Sequence, residues 1–313
     1  MTNNEIQYDL LVITGATASG KTAIAAQVAS RLNGEIISAD SRQVYRRMDI
    51  GTGKDLKDYI VDGKPVPVHL LDIAEPGYKY NVFEYQRDFL KVYSDLKRRD
   101  VFPVVCGGSG MYIDSIISGY RLLEVPPDHA LRQELEGRTL GELTRILGEY
   151  KTLHNVTDID TPKRAIRAIE IERYYRSSGV SAKSFPELKT LVTGILYDRD
   201  SRRRRISGRL GERLANGMIE EVRKLKEEGI GSESLIYYGL EYKYITYYLD
   251  GRIGYDEMVR TLETEIHRFA KRQMTWFRGM ERKGIKIHWI DGNLPVDQKS
   301  DLILNLLKKV ITS

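Results

Sequence analysis

The sequence predicts an α/β fold: a parallel sheet with helices on both faces, interrupted by a helical insertion. Three observations lead there. Short apolar runs alternate with helical patterns from Asp9 to Gly108, as expected of strands joined by covering helices. A glycine-rich loop links the first run to the first helix. Beyond Arg121 the chain turns helical, charged and poor in β-branched residues, and strand character returns only at Thr190.

Asp9 to Thr14 is a short apolar run ending in glycine and reads as a buried strand. Thr22 to Leu32 has helical spacing, with Ile24, Ala25, Val28, Ala29 and Leu32 on one face. Glu35 to Ser38 and Val68 to Ile73 read as the next strands. Phe83 to Arg98 reads as a helix, and Val101 to Cys106 as a valine-rich strand ending at Gly107-Gly108. Val125-Pro126-Pro127 breaks the chain, and Asp128 to Tyr175 forms the helical insertion. Thr190 to Tyr197 and Ile285 to Ile290 are further strands, with helical patterns from Arg202 to Glu228 and Tyr255 to Arg278 between them. Val296 to Val310 is an amphipathic closing helix. The expected division is a core of 1–122 and 185–313 around an insertion of 123–184.

A chain of 313 residues, 41% hydrophobic and 30% charged, is globular in composition and long enough to bury a core without staples. Cys106 is the only cysteine, which excludes an internal disulfide and a cysteine-rich zinc site and suits a reducing compartment. Leu10 to Ile13, the first apolar run, is too short for a signal sequence or a membrane span, so a cytoplasmic protein is expected. The net charge is only +5, but its placement is uneven. Arg199, Arg202, Arg203, Arg204, Arg205, Arg209 and Arg213 crowd one stretch; Arg268, Lys271, Arg272 and Arg278 form a second cluster. Such runs serve either as solvated helix faces or as nucleic-acid surfaces.

Gly15-Ala16-Thr17-Ala18-Ser19-Gly20-Lys21-Thr22 has the P-loop spacing G-x-x-x-x-G-K-[ST], with a strand before it and a helix after it. Its glycines let backbone N–H groups approach phosphate oxygens, and the helix start adds positive potential. Lys21 supplies a point charge, and the Thr22 hydroxyl is a candidate Mg²⁺ ligand. The fold expected is thus P-loop NTPase-like. The strand ending in Gly107-Gly108 carries no terminal acid of the kind that holds a motor's metal. The first well-placed carboxylate is Asp40, just past the second strand, where a base acting on an acceptor would stand.

Asp40-Ser41-Arg42-Gln43-Val44-Tyr45, one helix and one strand beyond the P-loop, resembles the tRNA dimethylallyltransferase family. So do Asp49-Ile50-Gly51-Thr52-Gly53-Lys54, His69-Leu70-Leu71-Asp72-Ile73 and Gly107-Gly108-Ser109-Gly110-Met111-Tyr112. Arg164 with Arg167-Ala168-Ile169-Glu170, and Ala270-Lys271-Arg272-Gln273-Met274-Thr275-Trp276-Phe277-Arg278, continue the match in the same order. Gly53 and Ser109 depart from the family's alanine and threonine.

The resemblance implies transfer of a dimethylallyl group from its diphosphate to the exocyclic N6 amine of the adenosine 3′ of the tRNA anticodon. Asp40 resembles the family's base. Gly15 to Thr22, with Mg²⁺ on Thr22, would hold the diphosphate; Ser109 would donate to it, and Arg205 or Arg209 corresponds to its arginine. Ser41, Arg42, Gln43, Tyr45, Arg164, Arg167, Lys271, Arg272 and Gln273 would face the anticodon loop, and the enzyme is expected to act as a monomer. The tyrosine run Tyr237, Tyr238, Tyr242, Tyr244, Tyr247 and Tyr248 reads first as amphipathic core and second as a base-stacking surface. Free AMP, ADP or ATP as acceptor, a P-loop kinase, and an RNA-binding module with a vestigial loop are the competing readings.

Overall fold

Six parallel strands form the central sheet in the order β5-β2-β6-β1-β7-β8. They are β1 (Leu10–Gly15), β2 (Glu35–Ser38), β5 (Val68–His69), β6 (Pro103–Gly107), β7 (Thr190–Leu196) and β8 (Ile287–Asp291). Between β2 and β5, β3 (Ile60–Val61) and β4 (Lys64–Pro65) form a small antiparallel pair. The computed structural model describes residues 6–120, 122–152, 159–178 and 185–308. Of the expected boundaries, that between 122 and 123 falls within these residues, whereas residue 184 lies outside them.

Every residue of β1 is buried, as a strand covered on both faces requires. Leu11 and Ile13 share a core with Val104, Cys106, Leu191, Ile195 and Ile290, beneath α1 (Lys21–Leu32) and α12 (Val296–Leu307). Leu10, Val12, Ile37 and Val105, which alternate with them, are also inaccessible to solvent. The helices that complete this part of the molecule are α2 (Val82–Arg98) and α3 (Gly110–Ile117), followed after the insertion by α7 (Arg199–Ala215), α8 (Met218–Glu227), α9 (Ser232–Tyr237), α10 (Leu240–Leu249) and α11 (Tyr255–Arg282).

The chain divides into two compact units: Met1–Gly119 with Pro186–Ser313, and Tyr120–Phe185. The second contains α4 (His129–Leu135), α5 (Leu140–Gly148) and α6 (Pro162–Ser178), which close over Leu131, Leu135, Leu143, Leu147, Ala165, Ala168 and Ile169. Glu170 is its polar centre, accepting from the Asp128 amide and from the guanidinium groups of Arg132 and Arg167. Burial pushes this carboxyl upward, but the two arginines and the amide outweigh it and hold the pKa below the usual range.

Two elements differ from the sequence reading. The strand expected over Val68 to Ile73 stops at His69, because Leu70 and Asp72 turn into left-handed backbone with φ of 58° and 54°. The helix expected over Arg202 to Glu228 is broken at Gly217, whose φ is 92° and which starts α8. Both breaks serve the site described next, since Asp72 and α8 each hold a loop of it.

Candidate active site

The loop between β1 and α1 turns on Gly20, whose φ of 72° is accessible to glycine at little strain. Ala18, at φ 61°, shares that left-handed geometry without being glycine. The Thr17 amide donates to Gln273 Oε1 at 2.8 Å, and Gln273 Nε2 donates to the Gly108 carbonyl at 2.9 Å. One buried amide on α11 thus ties the phosphate loop to the turn after β6. Ser19 Oγ is buried in the loop and has no hydrogen-bond partner among the described residues, a polar group placed where a phosphate oxygen would come.

Lys21 opens α1 and leads toward Gly108. Burial lowers the pKa of its ammonium; Cys106 and Asp40 oppose that shift and Arg209 adds to it. The group therefore lies in the field of both Asp40 and Arg209. Buried Cys106, at the end of β6, contacts the Thr22 hydroxyl, and burial pushes its thiol up to about 12.

Asp40 follows β2 and is half-buried; its Oδ1 accepts from the Arg42 amide at 2.9 Å. Its other oxygen has no hydrogen bond among the described residues. Ser109 holds this segment in place, accepting from the Ser41 amide at 2.8 Å and lying 3.2 Å from Ser41 Oγ. The ends of β2 and β6 approach so closely that a side chain at Gly107 would collide with the Ala39 carbonyl.

The loop from Asp49 to Lys54 forms a further wall. Buried Lys54 binds the Tyr45 carbonyl at 2.9 Å, the Asp49 carboxylate at 2.6 Å and the Asp72 carboxylate. Glu221 on α8 accepts from the amides of Asp49, Ile50 and Gly51 at 2.9, 2.7 and 2.9 Å, and from the Tyr242 hydroxyl at 2.6 Å. The Gly53 carbonyl receives Gln43 Nε2 at 3.1 Å and an Arg209 terminal nitrogen at 3.0 Å. Gly53 has φ 68°, and the guanidinium of Arg213 fills the space a β-carbon would need, which accounts for glycine at this position. Arg213 is in turn held by Glu241 at 3.1 Å.

Of the two candidate arginines, Arg205 donates from Nε to the Ala18 carbonyl at 2.9 Å and carries a terminal nitrogen beside Gly20. Arg209 is held back at Gly53, and burial first, then Arg213, lower its pKa.

The structure thus gathers Gly15 to Thr22, Asp40, Ser41, Gln43, Ser109, Arg205 and Arg209 through direct contacts with the loops. Tyr45 and Gln273, expected to face RNA, do not: Tyr45 is inaccessible and its hydroxyl accepts from the Tyr80 amide at 3.1 Å, and Gln273 spends both amide ends on backbone. Lys271 and Arg272 are exposed on α11. Arg164 and Arg167 lie on α6 in the other unit, where Arg164 pairs with Asp160 and Arg167 with Glu170 and the Val125 carbonyl. Glu221 is not legible in the sequence because an acid in a charged helix carries no local mark; Arg213 is visible there only as one of a run of arginines, and Lys54 only as the last residue of a motif.

Gln273→Leu keeps the helix and leaves the Thr17 N–H and the Gly108 carbonyl unpaired. A loss of about 2 kcal/mol is expected, as for buried polar groups deprived of a partner. Chemical denaturation reads it, and an unchanged midpoint would mean that the two loops hold themselves.

Among the described residues no cluster of three or more His, Cys, Asp or Glu side chains is arranged to hold a metal, and no helix is long and apolar enough to cross a membrane. The family model described as IPP transferase matches residues 43–280, and that described as isopentenyl transferase matches residues 8–64. The chain is similar to tRNA dimethylallyltransferase 2 of Bacteroides fragilis, with 58% identity over 302 residues that cover 96% of this chain and 99% of that protein. It is 57% identical to the protein of the same name from Phocaeicola vulgatus, covering 96% and 98% of the two chains. Among solved structures it resembles the full-length tRNA isopentenylpyrophosphate transferase of Bacillus halodurans, with a TM-score of 0.69, 32% identity, and coverage of 96% and 95%.

Proposed function

The chain belongs to the tRNA dimethylallyltransferase family, and from that premise we infer how its site works. The protein is a prenyltransferase that transfers a dimethylallyl group to tRNA. The donor is dimethylallyl diphosphate, and the acceptor is the N6 amine of the adenosine 3′ of the anticodon. The observation that carries this reading is the pairing of a buried cation in a phosphate loop, Lys21, with a carboxylate, Asp40, that keeps one oxygen free.

In the reaction, N6 forms a bond to C1 of the prenyl group as the bond from C1 to the diphosphate oxygen breaks. An aryl amine is a weak nucleophile until it sheds a proton, and the free oxygen of Asp40 accepts it. The loop amides, Lys21 and the terminal nitrogens of Arg205 hold the departing diphosphate; Arg209 adds its field from Gly53. Ser109 keeps Asp40 in register by accepting from the Ser41 amide, and its own O–H is the donor for the diphosphate. The target base leaves its stack to reach this depth.

Mg²⁺ favours phosphate oxygens supplemented by one or two protein oxygens. The Thr22 hydroxyl beside the loop and the neighbouring Asp40 carboxylate fit a metal carried in by the diphosphate, with Thr22 as its ligand. Bound there, it would offset negative charge on the leaving group. The exposed Lys271 and Arg272 and the partly buried Arg42 of the core contact tRNA, and the helical insertion is itself tRNA-binding. The same reading puts the protein in the cytoplasm, where tRNA is, as a monomer, since one chain supplies every group named.

The direct test is incubation with dimethylallyl diphosphate and total tRNA, followed by mass analysis of the nucleosides. Adenosine heavier by one C5H8 unit supports the reading; unmodified tRNA with prenylated free nucleotide overturns it. Salt probes the acceptor separately. Five phosphate contacts give log affinity a slope of about −3.5 against log salt, at roughly −0.7 per contact. Arg272→Ala should make the slope shallower by about 0.7. A flat response in tRNA binding would exclude a polyanionic acceptor.

A further inference from the structure

Linked to Asp40 through Arg42 stands an aromatic surface that the transfer chemistry does not use. Tyr237 ends α9 with 43% of its surface exposed, whereas its neighbours Tyr238 and Tyr242 are buried. Its ring is not loosely held. It meets Tyr238 edge-on at 5.6 Å, and Tyr238 meets Tyr45 at 4.5 Å. Tyr238 is anchored by its hydroxyl to the Gly77 amide and the Tyr78 carbonyl, and Tyr45 by its own to the Tyr80 amide. The exposed ring is thus the outermost of three, and the inner two are pinned.

Two cations lie over it. The Arg42 guanidinium is 5.5 Å from the ring centroid and the Lys79 ammonium 5.7 Å. Neither has a carboxylate within ion-pair distance among the described residues. Arg42 also connects the ring to the reaction centre, because its amide donates to Asp40 Oδ1 at 2.9 Å. An exposed ring covered only by long side-chain cations without carboxylate partners matches one ligand chemistry well: an unpaired nucleobase that takes the place of a cation on the ring face while the displaced charge moves to its phosphates.

We propose that Tyr237, with Arg42 and Lys79, is a stacking subsite for an anticodon-loop base adjoining the adenosine that is prenylated. The proposal rests on tRNA being the acceptor. Tyr237 is a positioning residue: its ring holds a neighbouring base and so fixes where the reacting adenosine enters. Only an aromatic face is needed, so phenylalanine serves and alanine does not.

The test uses the full chain and a stem-loop RNA with the anticodon-loop sequence, carrying 2-aminopurine in turn at each loop position. Stacking on Tyr237 quenches the fluorescence of the probe at one position. Tyr237→Ala is expected to abolish that quench and to raise KM for tRNA about tenfold or more, the effect of removing one stacked base. KM for dimethylallyl diphosphate should stay within about twofold, since the ring is outside the phosphate loop. Tyr237→Phe should retain quench and KM. A Tyr237→Ala enzyme with unchanged quench and tRNA KM overturns the proposal, as does a Tyr237→Phe enzyme as impaired as Tyr237→Ala. Failure of the wild-type protein to prenylate tRNA is a distinct result, which sinks the acceptor assignment and the subsite with it.

Discussion

Asp40→Asn is expected to cut kcat for prenyl transfer by about 10²- to 10⁴-fold, the range for losing a positioned general base. The substitution is nearly isosteric, and its amide oxygen can still accept from the Arg42 N–H that now bonds to Oδ1. Folding and the stand of the 41–45 segment should therefore survive, and KM for both substrates should change little. What is lost is the acceptor for the N6 proton. Steady-state rates with saturating tRNA and prenyl diphosphate measure the drop directly. A variant within a few-fold of wild type would take Asp40 out of the chemistry and leave it as a turn residue.

Lys21→Ala should slow transfer by about 10²- to 10³-fold, the cost of removing one pre-organised charge from a developing anion. Here the effects on rate and on stability should part. Burial holds the Lys21 ammonium below its ordinary pKa despite the opposing fields of Cys106 and Asp40, so the folded protein without ligand carries the charge at some expense, which the diphosphate relieves. Removing the charge should leave the melting temperature level or slightly raised while activity collapses. A chelator should depress the rate in the same direction, with recovery on adding Mg²⁺. A parallel fall in stability and rate would instead mean that Lys21 is a structural strut, and indifference to both changes would mean that the diphosphate binds elsewhere.

Much of the frame was legible because its signals are local. A short apolar run, two glycines five residues apart, and a lysine beginning an amphipathic helix all lie within one stretch of chain. Where partners are distant in sequence, legibility failed. Gln273 matched a motif, but its role as a clasp depends on Thr17, 256 residues away. Tyr45 sits in a block rich in polar residues, and only the packed Tyr238 reveals that it faces inward. The strand expected through Ile73 gave way because Lys54, whose side chain is wholly buried, needs Asp72, and the backbone turns left-handed to deliver it. Periodicity cannot register such a demand, since it records which side chains are apolar and not which charges need company.

The sheet itself has a history written into its order. Its central strand, β1, is flanked on one side by β6 from the first stretch of the core and on the other by β7, which follows the helical unit. A chain still on the ribosome can pair β5, β2, β6 and β1, but β1, apolar from Leu10 to Ile13, then offers a bare edge. That edge stays open while 108 to 196 are made, an interval on the order of ten seconds at the usual ~5–20 residues per second. The helical unit, with a core of its own, can fold during the wait. Nascent chains of this protein are thus natural clients for chaperones that shield strand edges. Products truncated between β6 and β7 never acquire their cover, and aggregation or proteolysis is their fate rather than partial function.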